Sequence, residues 1–136
     1  MSSIYSEIIL DYYRYPRNKG RLEKPQIQAK DSNPLCGDVV EIQMELDGHN
    51  QVKDIKFNGQ GCAISQASAS MLTELVKGKR LDEVRKIPKE DILSLLGGQL
   101  TAARMKCALL SLKVLKTGVY SYLGSTDTNK EELSSL

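Results

Sequence analysis

Four side chains could carry chemistry: the thiols of Cys36, Cys62 and Cys107, which are the only cysteines, and the carboxylate of Asp38. Cys36 and Asp38 stand in Asn33-Pro-Leu-Cys-Gly-Asp38. Pro34 stiffens the entry to this loop, and Gly37 lets the backbone turn where a side chain would clash, so both groups reach one point. Cys62 stands in Gly59-Gln-Gly-Cys-Ala-Ile-Ser-Gln66, among small residues, at the expected start of a helix. The N–H groups of a helix start favour a thiolate. Cys107 follows Arg104-Met-Lys106, two cations that favour the same form. Three thiolates and a carboxylate make four ligands. Four are enough for one tetrahedral zinc, or for a cluster of two irons and two sulfides, where a protein supplies two ligands to each iron.

The thiols lie 26 and then 45 residues apart, which is no knuckle pattern, so the fold must assemble the site. A carboxylate oxygen is harder than a thiolate and suits cluster iron less well. A mixed set therefore holds a cluster more weakly than four thiolates, a fault in an electron carrier and an advantage in a donor. Each residue also has a plain reading. Free cysteine commonly packs as a small hydrophobe, and Cys107 falls near the Leu110, Val114 stripe. Asp38 alone reads as a turn residue, and Arg104 and Lys106 as solvated helix charges. His49, the only histidine, reads as a hairpin-turn residue rather than a ligand.

The elements that must position these groups show in the periodicity. Residues 4–15 read as a helix with Ile4, Ile8 and Tyr12 on one face, stopped by Pro16 and turned by Asn18-Lys19-Gly20. Residues 26–31 read as a first strand. Val39–Leu46 alternates cleanly; Val52–Phe57 alternates in its second half, with Val52 out of phase; Asp47-Gly-His-Asn50 is hairpin chemistry. The period then changes. Ile64, Ala67, Met71 and Leu75 make a helical stripe stopped by Gly78, and Leu81–Lys86 reads as a short helical turn. Pro88 opens another helix, closed by Gly97-Gly98. A long last helix carries Met105, Leu109 and Leu112 and is expected to end at Gly118; the tail, Ser125–Leu136, is polar and expected to fray. The pattern predicts an α+β fold, a small antiparallel sheet of two or three strands with helices packed on one face.

The length of 136 residues suits a single domain, 1–136, with its core in about 4–120. The chain is 40% hydrophobic and 26% charged, which allows an ordinary packed core. A net charge of +2 gives no case for nucleic acid. No apolar run is long enough for a membrane helix, and Met1–Glu7 lacks a basic-then-apolar leader. An odd number of widely spaced cysteines reads as reduced thiols in a cytoplasmic compartment.

Asn33-Pro-Leu-Cys-Gly-Asp38, Gly61-Cys-Ala-Ile-Ser-Gln-Ala-Ser-Ala-Ser70 and Arg104-Met-Lys-Cys107 resemble the three signature segments of the iron–sulfur cluster scaffolds, the IscU proteins and the N-terminal domain of NifU. Tyr5-Ser-Glu through Asp11-Tyr-Tyr-Arg-Tyr-Pro-Arg-Asn-Lys-Gly20 resembles the family's opening helix and turn. The resemblance implies a compact α+β domain with a small antiparallel three-stranded sheet, and a transient two-iron, two-sulfide cluster held by Cys36, Asp38, Cys62 and Cys107. It implies a cysteine desulfurase as sulfur donor, apo-proteins as recipients, and Cys107 as the thiol that accepts the persulfide. On this reading the chain is a scaffold and not an enzyme in the strict sense, and monomer, dimer and trimer all stay open.

Two positions depart from the IscU pattern. Lys106 stands where a histidine is usual, and Leu100-Thr-Ala-Ala-Arg104 replaces the Leu-Pro-Pro-Val-Lys segment bound by family chaperones. A protonated lysine is a poor iron ligand, which leaves Asp38 as fourth ligand. The SufU branch also lacks the histidine, binds zinc and accepts sulfur from its desulfurase. It carries an insertion between the second and third cysteines that this chain lacks. The resemblance therefore keeps a second reading, a zinc-dependent sulfur acceptor in which Cys36 leaves the metal. A structural zinc domain that binds only proteins is a third.

Overall fold

Alternating apolar residues and one tight turn build the sheet. The computed structural model describes residues 2–34, 37–97 and 100–124, with side chains from residue 7 onward. Helix α1 (Ser2–Arg14) is followed by strands β1 (Ile27–Asn33), β2 (Asp38–Leu46) and β3 (Val52–Gln60), which pair antiparallel in that order. Helices α2 (Ala63–Val76), α3 (Leu81–Arg85), α4 (Lys89–Leu95) and α5 (Ala102–Leu123) complete the described chain. This is the α+β architecture expected.

Val40, Ile42, Met44 and Leu46 of β2 point inward, as the alternation requires. The out-of-phase Val52 is explained by a register shift. Glu45 pairs with Asp54 but Leu46 pairs with Val52, so one extra residue bulges out of β3 and Val52 turns into the core beside Ile55 and Phe57. The free edge of β3 is closed by the turn after α1. Phe57 N–H donates to Asn18 O and Gly20 N–H to Phe57 O, both at 2.9 Å. Asn18 adopts a left-handed φ of 61° to do this.

α2 and α5 lie on the sheet, and α1 lies on α2. The turn after α1 is pinned there by Arg17 N–H to Ser70 Oγ at 2.7 Å and Asn18 Nδ2 to Thr73 Oγ1 at 3.1 Å. The stripe of Ala67 and Met71 is buried, while Ile64 and Leu75 are half-buried. The opposite face of α2, with Ser65, Ser68, Ala69, Leu72 and Val76, is buried too, so the helix is enclosed nearly all round.

One boundary differs from expectation. α5 does not end at Gly118. It runs five residues further, to Leu123, and stops at Gly124, whose φ of 77° makes the left-handed cap. Gly118 is instead the place where α5 crosses β1: a Cβ there would stand 3.0 Å from Ile27 Cγ2 and 3.3 Å from Ala29 Cβ. The glycine serves close packing rather than termination. The expected polar tail, 125–136, and Gly98 lie outside the described residues.

Candidate metal centre

Three elements begin at one place. Asp38 is the first residue of β2, Cys62 is the N-cap of α2, and Cys107 lies in the second turn of α5. One ligand atom from each of the three lies within 4.8 Å of the others. Asp38 is fully buried, Cys107 is 5% exposed, and Cys62 is half-buried.

The backbone explains how a carboxylate is held in so dry a spot. Cys62 N–H donates to Asp38 Oδ1 at 2.8 Å, and its Sγ stands 3.6 Å from Oδ2. Both oxygens thus face Cys62. Gly61, with φ of +152°, makes the room: a Cβ at that position would collide with Asp38 Oδ1 and lie 2.9 Å from Ser65 Oγ. Two residues earlier, Gly59 at φ +144° passes so near the Val39 carbonyl that a Cβ would overlap it. The small residues around Cys62 therefore let the β3–α2 connection press against the start of β2.

Cys62 uses its sulfur as a cap. Ser65 N–H donates to Sγ at 3.5 Å, and Ser65 Oγ donates back to Cys62 O at 3.1 Å. Thr101 caps α5 by accepting from Arg104 N–H at 3.4 Å, so the helix begins at Ala102, before Cys107. Arg104 and Lys106 are exposed beside it.

Of the four expected donors, the fold brings Asp38, Cys62 and Cys107 together. Cys36 lies outside the described residues. Its loop is framed on both sides: Gly37 N–H donates to Asn33 O at 2.8 Å, and Gly37 takes a left-handed φ of 71°. His49 belongs to the β2–β3 turn, at the far end of β2 from Asp38, so it cannot join the set. Sequence reasoning missed the serines. Ser65 supports Cys62, and Ser68 and Ser111 join α2 to α5; three-residue spacing from the cap could have pointed to Ser65.

Two soft donors and one hard donor, converging where water is largely excluded, suit zinc or iron. The description "NifU-like N terminal domain" matches residues 4–129 of this chain. The chain belongs to that family. Among relatives of this NifU-like domain, the zinc-dependent sulfurtransferase SufU of Bacillus subtilis is 40% identical, covering 88% of this chain and 91% of its own. The iron-sulfur cluster assembly scaffold protein IscU 1 of Archaeoglobus fulgidus is 35% identical, covering 94% and 84%. IscU of Escherichia coli is 33% identical, covering 87% and 93%. The crystal structure of FiSufU from Fervidobacterium islandicum AW-1 superposes with a TM-score of 0.74 at 31% identity, over 86% of this chain and 97% of that one. The N-terminal NifU-like protein of Brucella abortus shares the fold, with a TM-score of 0.74 at 22% identity. Among the described residues, no helix is long and apolar enough to cross a membrane.

Proposed function

We propose that this NifU-like chain is a scaffold on which a two-iron, two-sulfide cluster is built from sulfur delivered by a cysteine desulfurase, then passed to apo-proteins. The observation that carries the reading is the convergence of Asp38, Cys62 and Cys107 within 4.8 Å from three separate elements. Cys36, two residues before Asp38, is the fourth ligand in this proposal. The whole chain acts as one domain in a reducing, cytoplasmic compartment.

Each residue has a task. Cys62 and Cys36 hold iron as thiolates. Cys107 accepts sulfur: its thiolate attacks the outer sulfur of the desulfurase persulfide, the S–S bond breaks, and the desulfurase leaves as a thiolate; an external two-electron donor then reduces the Cys107 persulfide, releasing sulfide and restoring the thiolate. Arg104 and Lys106 lower the cost of bringing two anions together. Because Cys107 is 5% exposed, the first turn of α5 must yield as the donor docks. The surface around that turn and α1 is the proposed contact. Asp38 is the harder and weaker ligand, and it has a second acceptor role to return to, the Cys62 N–H. It therefore lets go first when a recipient thiol attacks.

The second reading, a zinc-dependent sulfur acceptor, is favoured by the 40% identity to SufU and by Lys106. Against it, that alignment runs over 136 positions yet takes in only 88% of this 136-residue chain, so the relative carries residues that this one lacks. Anaerobic purification with iron, zinc, sulfide and visible spectra separates the two. The scaffold gives stoichiometric iron and sulfide with sulfide-to-iron charge-transfer bands. Zinc alone, with stimulation of the desulfurase, gives the acceptor. In the scaffold, Asp38→Ala slows cluster transfer to a recipient; a variant that retains no cluster makes Asp38 an anchor and sinks the gate.

A further inference from the structure

We propose that Ser68 is a positioning residue of the metal centre: its buried hydroxyl fixes the register of α2 against α5, and with it the separation of the Cys62 and Cys107 sulfurs. The inference rests on the donor set proposed above. Ser68 and Ser111 are both fully buried. Ser68 Oγ donates to the Ala108 carbonyl at 2.5 Å and stands 3.1 Å from Ser111 Oγ. A hydroxyl carries one proton. Ser68 spends its proton on Ala108, so Ser111 must donate to Ser68, and the network has one direction. Ser68 lies two turns into α2 from Cys62. Ala108 is the neighbour of Cys107, and Ser111 lies one turn beyond it. The helices are therefore fastened beside Cys107 on α5 and about 9 Å along α2 from Cys62.

The surrounding residues show why a directional contact is needed. Ser65 and Ala69, on the same face of α2 as Ser68, are fully buried. Such small side chains let helices approach closely but form shallow ridges and grooves, which resist sliding poorly. A slip of one residue moves a side chain by about 1.5 Å along the axis. Metal–ligand distances tolerate only about 0.2 Å. Apolar burial is non-directional and does not oppose such a slip. A short hydrogen bond onto the Ala108 carbonyl does.

The test titrates metal-free protein with Co2+ under nitrogen, following the thiolate-to-cobalt charge-transfer and d–d bands, with thermal melts of the metal-free proteins alongside. Ser68→Ala is expected to bind Co2+ about tenfold more weakly, with an altered d–d envelope, while its metal-free melt stays cooperative. If Ser68→Ala does not fold, the double replacement Ser68→Ala/Ser111→Ala, which leaves no orphaned hydroxyl, carries the same expectation. Wild-type affinity and d–d envelope in the folded variant overturn the proposal, because a merely structural serine would lower the melt and leave the bands alone. A wild type without thiolate–cobalt bands overturns the donor set instead. The register is then read, in a Cys36→Ser background, from the rate at which glutathione disulfide oxidises Cys62 and Cys107 to a disulfide. Ser68→Ala slows that step severalfold if it sets the register, and an equal rate overturns the proposal.

Discussion

At the scale of single residues, the site depends on atoms that are absent as much as on those present. Gly61 has no Cβ, and the Asp38 carboxylate occupies the space one would fill. Gly61→Ala should therefore expel the carboxylate from the Cys62 N–H and strain a φ of +152°, costing about 1–3 kcal/mol of stability. Urea unfolding reads that loss, and a Zn2+ or Co2+ titration reads a parallel fall in affinity; wild-type values for both would contradict the account. The proposed donors were conspicuous in the sequence, because thiols and a carboxylate beside glycines stand out chemically. The serines were not. Ser65, Ser68 and Ser111 look like surface residues by composition, yet the fold buries all three, and Ser68 and Ser111 meet between α2 and α5. Cys36 was legible as a ligand type, but it falls outside the described residues.

At the scale of elements, periodicity together with turn and cap residues anticipated the helices and strands among the described residues, and what the pattern left unexplained has particular causes. Gly118 follows a run of helix formers, so it reads as a stop; only the approach of β1 shows that it is a contact. Val52 breaks the alternation, and only the pairing with Leu46 shows the bulge. Gly118→Leu should wedge α5 away from Ile27 and Ala29 and cost about 1–3 kcal/mol, read by urea unfolding. A neutral effect would mean the crossing is loose. The β2–β3 turn carries a pH dependence of known sign. Asp47 Oδ1 accepts from Gln51 N–H at 3.0 Å and from His49 N–H at 2.8 Å, and these bonds, Gln51 first, hold its carboxyl below the ordinary 3.8. The turn's stabilisation is present above that ordinary value and lost as pH falls through the lower, folded one. The amide resonances of Gln51 and His49 should titrate with a midpoint below 3.8, and a midpoint at or above it would remove this support.

At the scale of the whole molecule, the core and the proposed metal centre are separable. The apolar cluster runs from Ile27 on β1 to Val119 on α5 and closes without any of the donors. Chelation should therefore leave a folded, cooperatively melting protein, with the metal adding only its binding linkage, about 2.7 kcal/mol at a hundredfold excess over Kd. A circular-dichroism melt with and without EDTA checks this; unfolding on chelation would restore the structural-zinc reading. The donors stand where elements start: Asp38 opens β2, Cys62 caps α2, and Cys107 follows the first turn of α5. Helix and strand ends of this kind can open locally without disturbing the helix and strand interiors that hold the domain together. In the proposed scaffold the grip on a bound cargo is thus a local affair, and a docking partner would loosen it by fraying three starting points rather than by melting the domain.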